Sequence, residues 1–279
     1  MVSSIPKAWG AFLSISTNDR DGPLAIECRE AALVITICRA HAGNSIDLAT
    51  AEALSAALKS ANSDRDIRAV ILTGQGGKFF CSGGDVKAYR ALDSTEDLQQ
   101  VFGRVRDLLD EIECFRLPVL AAIDGYALGG GLELALACDQ RFASTDARLG
   151  ATQARLGLIP GWNGAERLVE TVGRPNALRL LYLAEPIIAA RALEIGLVDE
   201  VASSGTALDA ALQFCRRMAA TGPLGVEGAK AVVFAGLASQ RAAGRDAARR
   251  TFERLWFTDD HREAEAAFAE KRPAMLKGR

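Results

Sequence analysis

Two glycine-rich loops carry the residues of this chain whose types and spacing are best suited to chemistry. The first loop reads CSGGD (residues 81–85) and the second reads GGGLE (residues 129–133). Each follows an apolar run typical of a buried strand and leads towards a helical pattern. Ligands of α/β folds bind at the carboxyl ends of strands, and helix N-termini present unpaired N–H groups. One backbone N–H from each loop could therefore converge on a single oxygen, as in an oxyanion hole.

Other chemistries fail on the residues that are present. A phosphate-binding P-loop needs Ser or Thr after its Gly-Lys pair, but Lys78 is followed by Phe79. A dinucleotide fingerprint that starts at Gly74 would need glycine at position 79. The two histidines, His41 and His261, have no zinc-ligand spacing, and none of the six cysteines forms a C-x-x-C pair. The sequence therefore predicts no metal site and reduced, buried thiols.

Charge and hydropathy narrow the classes of protein further. The 279 residues carry 33 Lys and Arg against 35 Asp and Glu, a formal net charge of −2. A nucleic-acid-binding protein usually shows a basic patch and a basic pI, and neither is present. No apolar run reaches the ~18 residues of a membrane span, and the N-terminus lacks a secretory pattern. We expect a cytoplasmic protein without nucleic-acid or membrane partners.

The elements that must position the two loops alternate along the first half of the chain. This succession of strands and helices predicts an α/β fold, and helical patterns dominate after about residue 163. The predicted elements are a hairpin from residues 24–28 and 31–38, a helix from Asp47, a buried strand in residues 67–74, a helix from Ser94 towards Phe115, and a second buried strand after Pro118.

Five segments in this order resemble the crotonase family, the relatives of enoyl-CoA hydratases and isomerases. They are FFCSGGDVK, IDGYALGGGLELALACD, RLGLIPGWNGAERLVETVG, ALEIGLVDEV and FTDDHREAEAAFAEKRPA. The resemblance implies an α/β fold with a ββα spiral core, two nearly perpendicular sheets and a helical C-terminal oligomerisation region. It also implies that the spiral core with an acyl-CoA site covers residues 23–200 and a helical trimerisation region residues 201–279. Residues 1–22 lie outside the resemblance and end in a turn-forming run, so they are predicted to be an N-terminal extension.

The resemblance assigns roles to four residues of the two loops and their surroundings. The N–H groups of Gly84 and Gly130 would hold the thioester carbonyl oxygen as it becomes an enolate oxygen. Glu133 matches the first of the two glutamates that hydratases use. Gln153 stands where the second glutamate is expected. The implied substrate is an acyl-CoA thioester, coenzyme A being part of it and no separate cofactor being needed, and the implied assembly is a homotrimer or a dimer of trimers.

Five further residues are predicted to contact the substrate. Ser82 and Asp85 flank the glycines of the first loop, and Trp162 would narrow the acyl pocket where many hydratases have a small residue. Phe252 and Lys271 match positions that contact the adenine end of CoA across a subunit interface. The alternatives are structural: a core phenylalanine and a solvated lysine for the last two, and core packing for Trp162.

The glutamine at position 153 leaves the reaction open, because an amide cannot exchange a proton near neutral pH. A hydratase with one carboxylate, with Gln153 holding the water, is one hypothesis. An isomerase with Glu133 as a lone proton shuttle is another. A decarboxylase of a malonyl-CoA-type thioester is the third, because loss of CO₂ forms the enolate without a base. A non-catalytic CoA-thioester-binding protein is the alternative of another class, against which Glu133 argues.

Overall fold

The computed structural model describes residues 22–90 and 92–278, which form two β-sheets and nine α-helices. The predicted extension (1–22) lies outside the described residues except for Gly22. The strands are β1 Leu24–Arg29, β2 Ala32–Ile37, β3 Ala69–Gly74, β4 Phe79–Cys81, β5 Val119–Ile123, β6 Tyr126–Leu128, β7 Gln140–Ser144, β8 Arg148–Gly150, β9 Ile187–Ile188 and β10 Glu200–Ala202. The helices are α1 Leu48–Ser63, α2 Val86–Tyr89, α3 Thr95–Glu113, α4 Gly130–Ala137, α5 Gly164–Leu183, α6 Ala189–Glu194, α7 Ala207–Met218, α8 Pro223–Trp256 and α9 Asp259–Glu270.

The larger sheet has the strand order β1-β2-β3-β5-β7-β10, and the smaller sheet has the order β4-β6-β8-β9. Only the pairs β1/β2 and β8/β9 are antiparallel in the described sheets. The first of these is the predicted hairpin, whose turn places Glu30 and Ala31 at positive φ of 52° and 63°. The alternation of parallel strands with helices confirms the predicted α/β fold.

Local capping explains why two of the predicted helices begin where they do. Asp47 accepts a hydrogen bond from the N–H of Thr50 at 2.8 Å and starts α1. Ser94 accepts one from the N–H of Asp97 at 3.1 Å and starts α3. Each cap satisfies an N–H group that the first helical turn leaves without a partner. The helix α5 is broken at Gly173, where φ is 72°.

The larger sheet is buried on both faces. On one face Leu33 and Leu72 pack with Leu54 of α1 and other members of the main apolar cluster. On the other face Ile71 and Leu120 pack against α7. A continuous run of apolar residues, without alternating polar ones, is typical of parallel strands that are buried on both faces of the sheet.

The smaller sheet brings the two glycine loops together. The long apolar runs end at Gly74 and Ile123, and a strand of three residues follows each of them before the loop begins. These short strands, β4 and β6, pair in parallel, with Cys81 opposite Ala127. Because the carboxyl ends of parallel neighbours lie side by side, both loops leave the same edge of this sheet. None of the helices in the described ranges has the length and hydropathy of a membrane crossing.

Candidate active site

The two glycine loops are in contact at the edge of the smaller sheet. Gly83 has a φ of +112°, and a Cβ atom on it would lie only 3.0 Å from the backbone nitrogen of Gly130. The carbonyl of Gly83 accepts from the N–H of Ile46 at 2.8 Å, and the N–H of Asp85 donates to Ile46 at 3.1 Å. The N–H of Gly84, between them, and that of Gly130 have no acceptor among the described residues. Two free donors are thus available on adjoining loops.

Glycine is required at these positions because other groups stand where a side chain would be. A Cβ atom on Gly84 would overlap the ring of Tyr89, and one on Gly131 would overlap the carbonyl oxygen of Cys81. A Cβ atom on Gly130 would overlap the indole of Trp162. The second loop ends in α4, so the N–H of Gly130 lies at the positive end of that helix dipole.

Glu133 lies on the first turn of α4 and is only 3% exposed. Its Oε1 accepts hydrogen bonds from Nε2 of Gln153 at 2.9 Å and from the N–H of Gly161 at 3.2 Å. Its Oε2 accepts from the N–H groups of Trp162 at 2.7 Å and Gly164 at 2.8 Å. Gly164 is the first residue of α5. The carboxylate therefore satisfies free N–H groups at the start of α5 while it stands at the start of α4.

Opposing effects set the pKa of Glu133. Its pKa is raised from 4.5 to about 7, and burial is the largest cause, because a charged carboxylate loses its hydration in the interior. The hydrogen bonds from Trp162, Gly164 and Gln153 and the positive charge of Arg167 lower it. The net result is a carboxyl group that exchanges a proton near neutral pH, which suits a general acid or base.

Gln153 contacts Glu133 directly. It belongs to a 3-10 turn, Thr152–Leu156, and its Cδ lies 4.0 Å from the position of a Cβ on Gly129. Its Nε2 donates to Glu133, and its Oε1 is buried without a partner in the described part of the chain. A buried acceptor without a donor is uncommon in folded proteins and needs a specific explanation.

Trp162 covers both Gly130 and Glu133. It is 2% exposed, its six-membered ring lies against the Cα of Gly130, and its backbone N–H binds Glu133. Its Nε1 is buried and has no acceptor among the described residues. The side chain therefore occupies space beside the second glycine loop.

Ser82 and Asp85 are engaged by the protein itself. The hydroxyl of Ser82 donates to the carbonyl of Ala42 at 3.4 Å. Asp85 forms an ion pair with Arg39 at 2.9 Å, and the same guanidinium binds Asp47 at the start of α1. These contacts fix the first loop against the segment that precedes α1, while substrate binding by either side chain stays a prediction.

Phe252 lies beside Gly161, with its ring 2.7 Å from the position of a Cβ on that glycine, and Lys271 follows the last residue of α9. Phe252 is 3% exposed and stacks on Phe102, with ring centroids 4.7 Å apart, and on Trp256 at 5.7 Å. Lys271 is exposed and ends α9 in the left-handed conformation. The expected contact with CoA stays a prediction for both, and for Phe252 it would require this aromatic cluster to open.

Two arginines near Glu133, Arg167 and Arg106, were not predicted from the sequence. Arg167, which is 1% exposed, donates to the carbonyl of Trp162 at 2.9 Å and pairs with Asp110 and Glu113. Arg106 donates to the carbonyl of Gly161 at 3.2 Å. Arg167 had a detectable signal, because it falls on the apolar face of α5 at helical spacing. Arg106 had no such signal in the sequence, since its contact with Gly161 joins segments that are distant along the chain.

No group of three His, Cys, Asp or Glu side chains that could hold a metal ion occurs in residues 22–90 and 92–278.

Comparisons with known proteins agree on one family. The sequence profile described as enoyl-CoA hydratase/isomerase matches residues 27–279. YngF of Bacillus subtilis is 38% identical over 247 residues, which cover 88% of this chain and 94% of that protein. The 2,3-dehydroadipyl-CoA hydratase of Escherichia coli is 34% identical over 92% of this chain and 99% of its own length. The crystal structure of carnitinyl-CoA hydratase from Mycobacterium avium superposes with a TM-score of 0.82 at 35% identity, covering 92% of this chain and 99% of that one.

Proposed function

Because the chain belongs to the enoyl-CoA hydratase/isomerase family, the crotonases, we propose that it hydrates an enoyl-CoA thioester with a single carboxylate, Glu133. Acyl-CoA processing of the hydratase kind is what the family match and the relatives support. The single-carboxylate mechanism is our addition. The observation that carries it is the buried Oε1 of Gln153, which has no partner among the described residues and lies beside a carboxyl group with a pKa of about 7.

The two backbone donors stabilise the charge that develops on the substrate. As water adds to C3 of the enoyl group, the electron pair of the double bond moves onto the thioester oxygen. The N–H groups of Gly84 and Gly130 bind that oxygen, and the N-terminus of α4 adds a favourable dipole. One such donor contributes about 3–4 kcal/mol of transition-state stabilisation.

Glu133 moves the proton. It accepts one proton from water as the bond from oxygen to C3 forms, and it returns a proton to C2 as the enolate collapses. One water is added, and the carboxylate is regenerated. Of the four hydrogen bonds to Glu133, three come from backbone N–H groups, and the one from Gln153 comes from a side chain. A rotation of Gln153 therefore frees Oε1 of Glu133 for water, while Oε1 of Gln153 accepts the water's other hydrogen.

A second candidate is decarboxylation of a malonyl-CoA-type thioester. The observation that favours it is the indole of Trp162 against Gly130, which leaves little room for a long acyl chain. In this reaction the bond from C2 to the carboxylate breaks, CO₂ leaves, and the electron pair moves into the enolate held by the same N–H groups. Glu133 then protonates C2 and regains its proton from solvent.

The substrate is expected to be an acyl-CoA thioester with no separate cofactor, and the assembly a homotrimer or a dimer of trimers. The exposed apolar side chains of α8, among them Leu224 at 75% and Val232 at 74%, support burial against another copy. Sedimentation equilibrium tests this, and a monomer at micromolar concentration would exclude it.

A mass-spectrometric assay with crotonyl-CoA and methylmalonyl-CoA distinguishes the reactions. A product that has gained one water supports hydration. A product of unchanged mass and altered retention identifies an isomerase, and loss of CO₂ identifies a decarboxylase. Saturable binding in calorimetry without turnover identifies a CoA-thioester-binding protein. No saturable heat with any acyl-CoA excludes the proposal altogether. Heat-denatured protein is the control.

A further inference from the structure

A short relay of hydrogen bonds joins Arg106 to Glu133. Nη1 of Arg106, on α3, donates to the carbonyl oxygen of Gly161 at 3.2 Å. The backbone N–H of Gly161 donates to Oε1 of Glu133, also at 3.2 Å. The guanidinium of Arg106 therefore binds the carbonyl of Gly161, and the N–H of Gly161 binds the carboxylate of Glu133.

Arg106 differs from the other arginines of α3, α5 and α8 that surround it. Arg167, Arg241 and Arg245 all form ion pairs with carboxylates. Arg106 forms none with a carboxylate in the described residues, although burial lowers its pKa. A partly buried guanidinium costs free energy unless hydrogen bonds compensate it, and for Arg106 the carbonyl of Gly161 is such a partner.

The charged groups around the relay are few. The positive charges of Arg106 on α3 and Arg167 on α5 act on Glu133. On Arg106 itself act Glu253 and Arg249 from α8 and Asp107 from its own helix. Two cations thus oppose the effect of burial on the carboxyl group. Arg167 forms ion pairs with Asp110 and Glu113, whereas Arg106 is within ion-pair distance of no carboxylate in the described residues.

We propose that Arg106 is a positioning residue that holds the Gly161 peptide so that its N–H stays directed at Glu133. This role rests on the proposed function, and it favours the ionised form of the catalytic carboxyl group. Loss of the guanidinium removes a positive charge and frees the peptide to turn its N–H away. Both changes disfavour the charged form of Glu133, so its pKa rises.

The direct test is the titration of Glu133 in the full-length protein, followed by carboxyl-carbon NMR and assigned with E133Q. In R106Q the midpoint is expected to rise by at least about half a pH unit, while R106K, which keeps the charge, shifts less. The matched control is R104Q, because Arg104 lies on the same helix and pairs with Glu111 at 3.5 Å. An unchanged midpoint in R106Q overturns the proposal. If R106Q does not fold, R106K decides, because a midpoint identical to that of wild type overturns it as well.

Kinetics separates positioning from a general loss of structure. If crotonyl-CoA is hydrated, the pH profile of kcat in R106Q shifts upward with the NMR midpoint, and KM changes less than kcat. A fall in kcat at all pH values without a shift of the profile argues against the relay. Because the NMR titration needs no turnover, absence of activity would reject the proposed function and leave the role of Arg106 to be decided by the midpoint.

Discussion

Gln153 and Glu133 face each other across one hydrogen bond, with Nε2 of Gln153 2.9 Å from Oε1 of Glu133. The amide donates to the charged form of the carboxylate, which lowers the pKa of Glu133 against the effect of burial. A glutamate at position 153 would bring a like charge to the same place. The identity of this one residue therefore influences the pKa of Glu133 and determines how many groups at this place can transfer protons.

Q153E is expected to increase the hydration of crotonyl-CoA and to move its pH optimum upward. The second carboxyl group supplies a proton donor, which contributes roughly 10²-fold or more in general acid–base catalysis. Two carboxyl groups in contact cannot both ionise easily, so they titrate as a coupled pair with one raised pKa. Steady-state rates across pH measure both effects. Q153N, which shortens the amide side chain, is the control, and an unchanged rate in Q153E would show that pocket shape decides the reaction.

E133Q is expected to lower turnover by at least ~10²-fold, because glutamine cannot take up or return the proton. It also turns an amide N–H towards the backbone donors of Trp162 or Gly164, so the protein should unfold at a lower temperature. Initial rates and thermal melting measure the two effects separately. E52Q, at an exposed position of α1, is the control. Kinetics equal to wild type in E133Q would leave Glu133 with the single role of capping α5.

The pKa of Glu133 also predicts a pH dependence of stability. Its folded-state pKa of about 7 lies above the ordinary 4.5, so the folded protein binds this proton more tightly than the unfolded chain. The resulting stabilisation is present in full below pH 4.5 and is lost as pH rises through about 7. It amounts to about 3 kcal/mol. Urea unfolding at about pH 5 and about pH 8 measures it. The difference should shrink by most of this amount in E133Q, and an equal difference in both proteins contradicts the assignment.

The sequence predicted the features whose signals are local. The hairpin turn at Glu30 and the caps at Asp47 and Ser94 all depend on residues within a few positions of one another. The strands β4 and β6 did not emerge, because three residues are too few to show a period of two.

The candidate site was predictable only in part for the same reason. Its glycine loops are contiguous in sequence, and the resemblance to a family placed Glu133 and Gln153 beside them. The contacts that set the behaviour of Glu133 come from Gly161, Trp162 and Gly164, about thirty residues away. Such tertiary contacts leave no periodic trace in a sequence, so the capping of α5 by Glu133 required the structure.

W162F is expected to shift the substrate preference towards longer acyl chains. The smaller ring vacates space beside Gly130, where the indole now lies. A pocket change of this size alters discrimination between chain lengths by roughly 10-fold or more in kcat/KM. The ratio of kcat/KM for octenoyl-CoA and crotonyl-CoA measures it. W256F is the matched control, because Trp256 is equally aromatic and buried but packs on His261 and Phe252. An unchanged ratio in W162F would place the acyl chain elsewhere.

G130A is expected to lose activity and to regain part of it when W162F is added. The new methyl group overlaps the indole of Trp162 and displaces either that ring or the second glycine loop, which moves the N–H proposed to bind the enolate oxygen. A smaller ring at position 162 relieves the overlap, so the two substitutions should be coupled by at least about 1 kcal/mol in a double-mutant cycle on kcat/KM. The pair G130A and W256F is the control and should combine additively. If G130A and W162F also combine additively, the position of the N–H of Gly130 does not depend on Trp162.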